Sequence, residues 1–171
     1  MSDVLLDPTP VRVTEADMIA HLNTRYTSVR PYAEPPVDRY VRAAHVQSSQ
    51  TMWAYGRRIC DFLALDKWPS SQAIHGHEVK VSRSDWLTEL RAPEKADAWR
   101  RWCNYWWLVV SAPEIVKPGE LPDGWGLMAL SKRGTLRARR KPDYAMTPDL
   151  PLDVVAGIAY AAQKHAKGQQ P

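Results

Sequence analysis

Apolar positions along the chain change period several times, and each change marks an element. In TEADMIAHLNTRY, residues 14–26, Met18, Ile19 and Leu22 recur at helical spacing, and Asp17 follows Thr14 by three residues. That pattern predicts a helix capped by Thr14, with Asp17 closing an approximate capping box. Residues 26–50 carry Pro31, Pro35 and Pro36 and little periodicity before VDRYVRAAHV. They predict a long loop with a short helix or a short strand in its second half. MWAYGRRICDFLALD predicts a strand over about 57–65, with a further strand at 52–55 and Gly56 at a turn or bulge between them. AIHGHEVKVS is the next strand, and Ser82 or Ser84 then caps a helix through DWLTELR.

Pro93 interrupts, and EKADAWRRWCNY begins a second helical piece. WWLVVSA is a continuous apolar run of the kind a strand buried on both faces shows. After the Pro- and Gly-rich PEIVKPGELPDG, the runs WGLMALS and TLRARR read as two strands of a hairpin turning at Lys132–Gly134. A final helix covers about 151–166. The order is helix, two or three strands, helix, strand, two strands, helix. It predicts an α/β fold with a mixed central sheet flanked by helices. One domain is expected over 13–166, with 26–50 as an irregular insertion and tails at 1–12 and 167–171.

Three charges break the strand pattern. Asp61 sits inside ICDFLAL, and Glu78 and Lys80 sit inside HGHEVKVS with only Val79 between them. Period-two alternation sends Glu78 and Lys80 to one face, and Asp61 joins them if the two strands pair. An unpaired carboxylate in a sheet core is strongly unfavourable, so the three charges need a partner or a purpose. Three explanations compete: an ion pair, a pair of carboxylates for acid–base chemistry, and a hard, oxygen-rich site for Mg²⁺ or Mn²⁺. The third suits a reaction at phosphorus.

Asp61 followed by Glu78-Val79-Lys80 resembles the D…(D/E)xK signature of the PD-(D/E)XK nuclease superfamily, in a similar context: an acid-bearing helix before, a helix directly after the lysine. HEVKVSRSDWLTEL, WCNYWWLVVSAPEI and LPDGWGLMAL further resemble the MmcB-like DNA-repair branch, over roughly residues 52–141. Two departures stand out: Cys60 replaces the proline before the first acid, and Asn104 stands where that branch tends to carry an acid. The resemblance implies a restriction-endonuclease-like core and a divalent-metal-dependent deoxyribonuclease that hydrolyses phosphodiester bonds in DNA repair, recombination or phage DNA processing. It implies Asp61, Glu78 and the Val79 carbonyl as metal ligands, Glu15 as an outer ligand with Asp17 as its competitor, and Lys80 as the catalytic lysine. Ser82 or Ser84, at the start of the following helix, would hold a phosphate. A non-catalytic DNA-binding or assembly protein on the same fold is the alternative.

Charge adds a mild lean toward polyanions: 23 Lys and Arg against 19 Asp and Glu, a net charge of +4. SKRGTLRARRKP, residues 131–142, holds six basic residues and no acid; it reads first as a solvated strand and turn, second as a phosphate contact through Lys132 and Arg133. Lys95, Arg100 and Arg101 offer the same pair of alternatives. The eight tryptophans read as core before base stacking. His75 and His77 share a face opposite Glu78 and lack a third nitrogen or sulfur ligand for zinc. No Gly-x-Ser-x-Gly elbow or Gly-x-x-x-x-Gly-Lys loop occurs. Cys60 and Cys103 read as reduced core thiols, and Tyr105 as core packing before DNA contact. No membrane span or basic-then-apolar leader is present, so a cytoplasmic protein is expected, with DNA as partner and a second copy or partner protein for cutting both strands.

Overall fold

The capping box forms as its spacing predicts. In the computed structural model, which describes residues 12–30, 36–47 and 58–168, Thr14 Oγ1 accepts the Asp17 N–H while Asp17 Oδ2 accepts the Thr14 N–H at 2.8 Å. Helix α1 (Glu15–Arg25) follows and buries Met18, Ile19 and Leu22. A two-residue antiparallel pair, β1 (Val29–Arg30) with β2 (Val37–Asp38), lies outside the main sheet.

The second half of the expected insertion holds a full strand, β3 (Tyr40–Val46). Its two alanines and a mid-strand Arg42 gave weak strand propensity; packing decides its state. β3 pairs with β4 (Cys60–Asp66), and β4 with β5 (Ala73–Lys80), both antiparallel. Helix α2 (Arg83–Leu90) comes next, with Ser82 as its N-cap. The second helical piece is short: a 3₁₀ turn (Pro93–Ala96), then α3 (Asp97–Arg100). β6 (Tyr105–Val110) and β7 (Gly126–Leu130) run parallel to β5, and β8 (Leu136–Arg140) returns antiparallel. Helix α4 (Leu152–Ala166) closes the fold. Strand order in the sheet is β3-β4-β5-β6-β7-β8. The strand expected at 52–55 lies outside the described residues.

Each sheet face has its own core. On the α1 side lie Phe62, Ala64, Val79, Trp107, Val109 and Met128. On the other side Leu63, Trp106, Leu108 and Val110 pack against Trp86 of α2, Trp99 of α3, and Val154 and Ile158 of α4. β6 is therefore buried on both faces, as its unbroken apolar run predicts. Both cysteines are buried free thiols. A loop carboxylate pins α2: Glu120 accepts from the Arg83 guanidinium, from Trp86 Nε1 at 3.2 Å and from the Lys117 N–H at 2.8 Å. The Arg83 bond, first among these, draws the Glu120 carboxyl down to about 2. Among the described residues no helix is long and apolar enough to cross a membrane.

One glycine is required by close approach. A Cβ on Gly76 of β5 would stand 2.4 Å from Trp106 Cζ3 and 2.6 Å from Cys103 Sγ. Gly76→Ala forces those side chains apart in a packed core, and overpacking of this kind destabilises by about 1–3 kcal/mol. Thermal denaturation should show a fall of roughly 2–12 °C in Tm, at about 2–4 °C per kcal/mol for a chain of this size. An unchanged Tm would refute the tight packing of β5 on β6.

Candidate active site

The β4–β5 ladder runs from Asp66↔Ala73 to Phe62↔His77 and stops there. One residue further on, a side chain takes over: Asp61 Oδ2 accepts the Val79 N–H at 2.7 Å. The β3–β4 ladder breaks at the same level, because its register passes over His45 and Asp61. His45 has φ of 52°, the sole positive value at a non-glycine residue among the described residues. Such backbone is unfavourable for a residue with a Cβ and persists only where its surroundings impose it. Asp61 thus sits where β4 parts from β5 and where the β3–β4 ladder skips one pair before resuming at Val46↔Cys60.

Glu78 and Lys80 project together from β5, as alternation requires. Lys80 Nζ lies 2.5 Å from Glu78 Oε1 and 3.4 Å from Glu89 Oε2 on α2. All three side chains are about 15% exposed or less, so the charges are poorly hydrated. Burial, then the Glu78 charge, pushes the Asp61 carboxyl well above its ordinary range; the Val79 N–H and Lys80 pull it partly back. Burial also raises Glu78, against the pull of Lys80. For Lys80, burial alone would favour loss of the proton, but Glu78, Asp61 and Glu89 outweigh it and hold the ammonium above its usual value. These carboxylates therefore favour the charged form of Lys80. Glu15, at the start of α1, adds negative charge to both Asp61 and Glu78, with its own Oε1 3.7 Å from His45 Nδ1.

No family model, curated protein or solved structure matches this chain. Among the described residues no group of three or more His, Cys, Asp and Glu side chains is already gathered around an ion position. The hard donors near Lys80 are the carboxylates of Glu78 and Glu89, which pair with it, and that of Asp61, which interacts electrostatically with Glu78 and Lys80. Val79 buries its side chain on the α1 face, which leaves only its backbone to serve the site. Asp17 is engaged in the helix cap, so Glu15 is the acid of α1 that acts on Asp61 and Glu78.

The remaining sequence candidates divide by position. A cavity of about 230 Å³ next to Glu78 is lined by Glu89, Lys95, Arg58 and Trp99, which brings Lys95 to the site. Ser82 Oγ accepts the Asp85 N–H at 3.2 Å as the α2 cap and bonds Asp85 Oδ2 at 2.6 Å, while Ser84 Oγ lies 2.9 Å from Ser82 Oγ. Arg100 pairs with Asp97 at 2.8 Å, Arg101 lies over the Trp102 ring, and both line a different cavity with Ala145 and Met146. Lys132 and Arg133 occupy the exposed β7–β8 turn, at the Lys80 end of the sheet but with β6 and β7 between. His77 is a core histidine: its Nδ1 bonds the Phe62 carbonyl at 3.1 Å and its Nε2 the Tyr26 hydroxyl at 3.0 Å. Tyr105 stacks on His75 at the opposite end of the strands, away from Lys80.

Two contributors escaped the sequence pattern. Glu89 follows the buried Trp86 by three residues on α2, so helical spacing already put it on the inward face. His45 had no signal, since its role is backbone strain opposite Asp61.

Asp61→Asn keeps an acceptor for the Val79 N–H and removes a buried charge. Because the folded-state pKa of Asp61 is raised, its ionisation opposes folding above the unfolded pKa of about 3.9. The variant should therefore melt above wild type at pH 8 without added metal. The gap should shrink as pH falls and vanish once the unfolded carboxyl also keeps its proton. Lower stability than wild type at pH 8 would contradict this electrostatic picture.

Proposed function

We propose that this chain is a divalent-metal-dependent deoxyribonuclease of the PD-(D/E)XK type, built on a restriction-endonuclease-like core and hydrolysing phosphodiester bonds. The observation that carries it is the meeting of Asp61, Glu78 and Lys80 at the point where the sheet opens. The element order supports the core: an acid-bearing α1, the antiparallel meander β3-β4-β5, then α2 directly after Lys80.

Mg²⁺ or Mn²⁺ suits this donor set. Burial disfavours the charged form of both carboxylates and Lys80 offsets only part of their charge, so a hard cation would add counter-charge, and the Val79 carbonyl adds a third oxygen of the right kind. When bound, the cation would polarise a phosphoryl oxygen and acidify a water. Lys80 acts as a donor rather than a base, because its neighbours keep it protonated. Its ammonium orients the attacking water and offsets negative charge that builds on the phosphate. Glu89 holds that ammonium from the α2 side, and Lys95 neutralises backbone phosphate at the rim of the adjacent cavity. Binding through such contacts is salt-sensitive.

One observation favours a second explanation. Lys80 already has two carboxylate partners, so the cluster can stand as a closed structural ion network with no cation. Cleavage of labelled single-stranded, duplex and branched DNA separates the two. Under the nuclease proposal, Mg²⁺ or Mn²⁺ supports cutting, EDTA abolishes it, and Asp61→Asn and Lys80→Ala each lower the rate by about 10²-fold or more. Metal should also raise the wild-type Tm and fail to raise that of Glu78→Gln. No cutting and no metal-dependent Tm shift would leave the structural network as the explanation.

A further inference from the structure

A second concave surface lies on the opposite face of the sheet, beyond the C-terminal end of α1. It encloses about 810 Å³ between the last turn of α1, the β4–β5 connection and the segment after β8. Ligand pockets generally span about 300–1,000 Å³, so this one has room for a molecule much larger than a phosphate ion. Alternation puts His75, which lines it, on the face opposite Glu78 and Lys80. His75 and Lys80 are five positions apart on β5, about 17 Å at strand rise.

The walls combine two chemistries. One is aromatic: Tyr40, Tyr105, Trp107 and Tyr144. Tyr105 is fixed by stacking on His75, with ring centroids 4.9 Å apart and 23° between planes, and Tyr144 meets its edge at 5.5 Å. His75 is in turn held by Trp107 Nε1, 3.4 Å from its Nδ1. Burial draws His75 down to about 4, so it is neutral at physiological pH. The other chemistry is cationic. Arg25, Arg39 and Lys141 face one carboxylate, Asp66, which leaves a net charge of +2 on the wall (three positive, one negative). Arg39 is tied to Asp66 at 3.0 and 2.5 Å and to Ser71 Oγ at 2.9 Å, so it shapes the wall. Arg25 donates to the Leu136 carbonyl at 3.5 Å and also interacts with the Tyr26 hydroxyl, and neither Arg25 nor Lys141 makes an ion pair among the described residues. A flat aromatic group joined to an anion satisfies both walls at once.

We propose that this cavity binds a nucleotide, with its base against the Tyr105 and Tyr144 rings and its phosphate against Arg25 and Lys141. Ser70 and Gln72 line the same space and offer hydrogen-bonding groups for a base edge. The source is either a free nucleotide or the terminal nucleotide of a single strand. For a strand, the exposed Arg139, which follows the wall residue Ala138 at the irregularity in β8, adds positive charge beside the rim. The assignment stands independently of the proposed nuclease centre.

The test titrates the full chain, in EDTA, with deoxyadenosine monophosphate, deoxyadenosine, inorganic phosphate and a short single-stranded oligonucleotide. Tryptophan fluorescence and calorimetry report binding. Saturable binding is expected for the nucleotide or the oligonucleotide, with nucleoside and phosphate each weaker by about tenfold or more, since each offers only one of the two contacts. Lys141→Glu and Tyr144→Ala, both at exposed positions, should each weaken it by about tenfold with Tm unchanged. Glu78→Gln should leave it intact, so failure of this cavity and failure of the nuclease centre fall on different variants. Tighter binding of the oligonucleotide that is lost in Arg139→Glu identifies a strand end as the source; equal binding of the mononucleotide identifies a free nucleotide. No saturable binding of any probe, or equal binding in Lys141→Glu and Tyr144→Ala, overturns the proposal.

Discussion

β5 runs through the interior of the sheet, and the polar side chains of its second half find their partners inside the protein. This constraint organises the molecule. His77 points into the α1 core, where the Phe62 carbonyl and the Tyr26 hydroxyl saturate its two nitrogens. Burial draws it down to about 3, so it stays neutral, donates from Nδ1 and accepts at Nε2. Glu78 and Lys80 point the other way and satisfy each other, with Glu89 completing the set. Even the backbone follows the rule: where the ladder to β4 ends, the Asp61 carboxylate receives the Val79 N–H in its place. Gly76 is the position on β5 where Trp106 and Cys103 close onto the backbone. One strand thus sets the position of α1, the packing of β6 and the charge cluster together.

The charge cluster differs from an ordinary surface ion pair in how little water reaches it. Three carboxylates share one ammonium within a poorly hydrated pocket, and a fourth, Glu15, adds to the negative field from α1. An arrangement with surplus negative charge is destabilising in isolation and becomes favourable when a cation enters. The strained His45 at the same level fits a region where local stability is given up for geometry.

Much of this was legible in the sequence because it rests on local rules. The Thr14–Asp17 spacing gave the cap of α1, and period-two alternation placed Glu78 and Lys80 together and His77 opposite. Other parts depend on distant packing. β3 is a strand because β4 pairs with it and α4 packs along it; its own sequence barely favours one. Asn104, which stood where an acid was anticipated, does structural work: its Oδ1 accepts the Ile74 N–H at 2.8 Å while its Nδ2 donates to the Ala145 carbonyl at 3.1 Å. An ionised Asp could accept the first bond and could not donate the second. The basic run after β7 is an edge strand, and exposed charge on an edge discourages pairing with other chains, so its composition alone carried little functional information.

Strand order in the main sheet follows chain order, so each strand finds its partner in the segment just made. Loop closures of this length carry a small entropic penalty, and a sheet of this kind can zip along from either end without waiting for remote residues. The exception is the last helix. α4 lays Val154, Ile158 and Ala161 against the core beside Ala43 and Val46 of the first long strand, and His165 reaches Asn23 of α1 at 2.8 Å. During synthesis, then, the first strand of the sheet emerges early and is covered last. Its apolar face waits for some hundred residues of chain, roughly ten seconds at ordinary elongation rates, and that interval is when the growing protein is most exposed to misassociation.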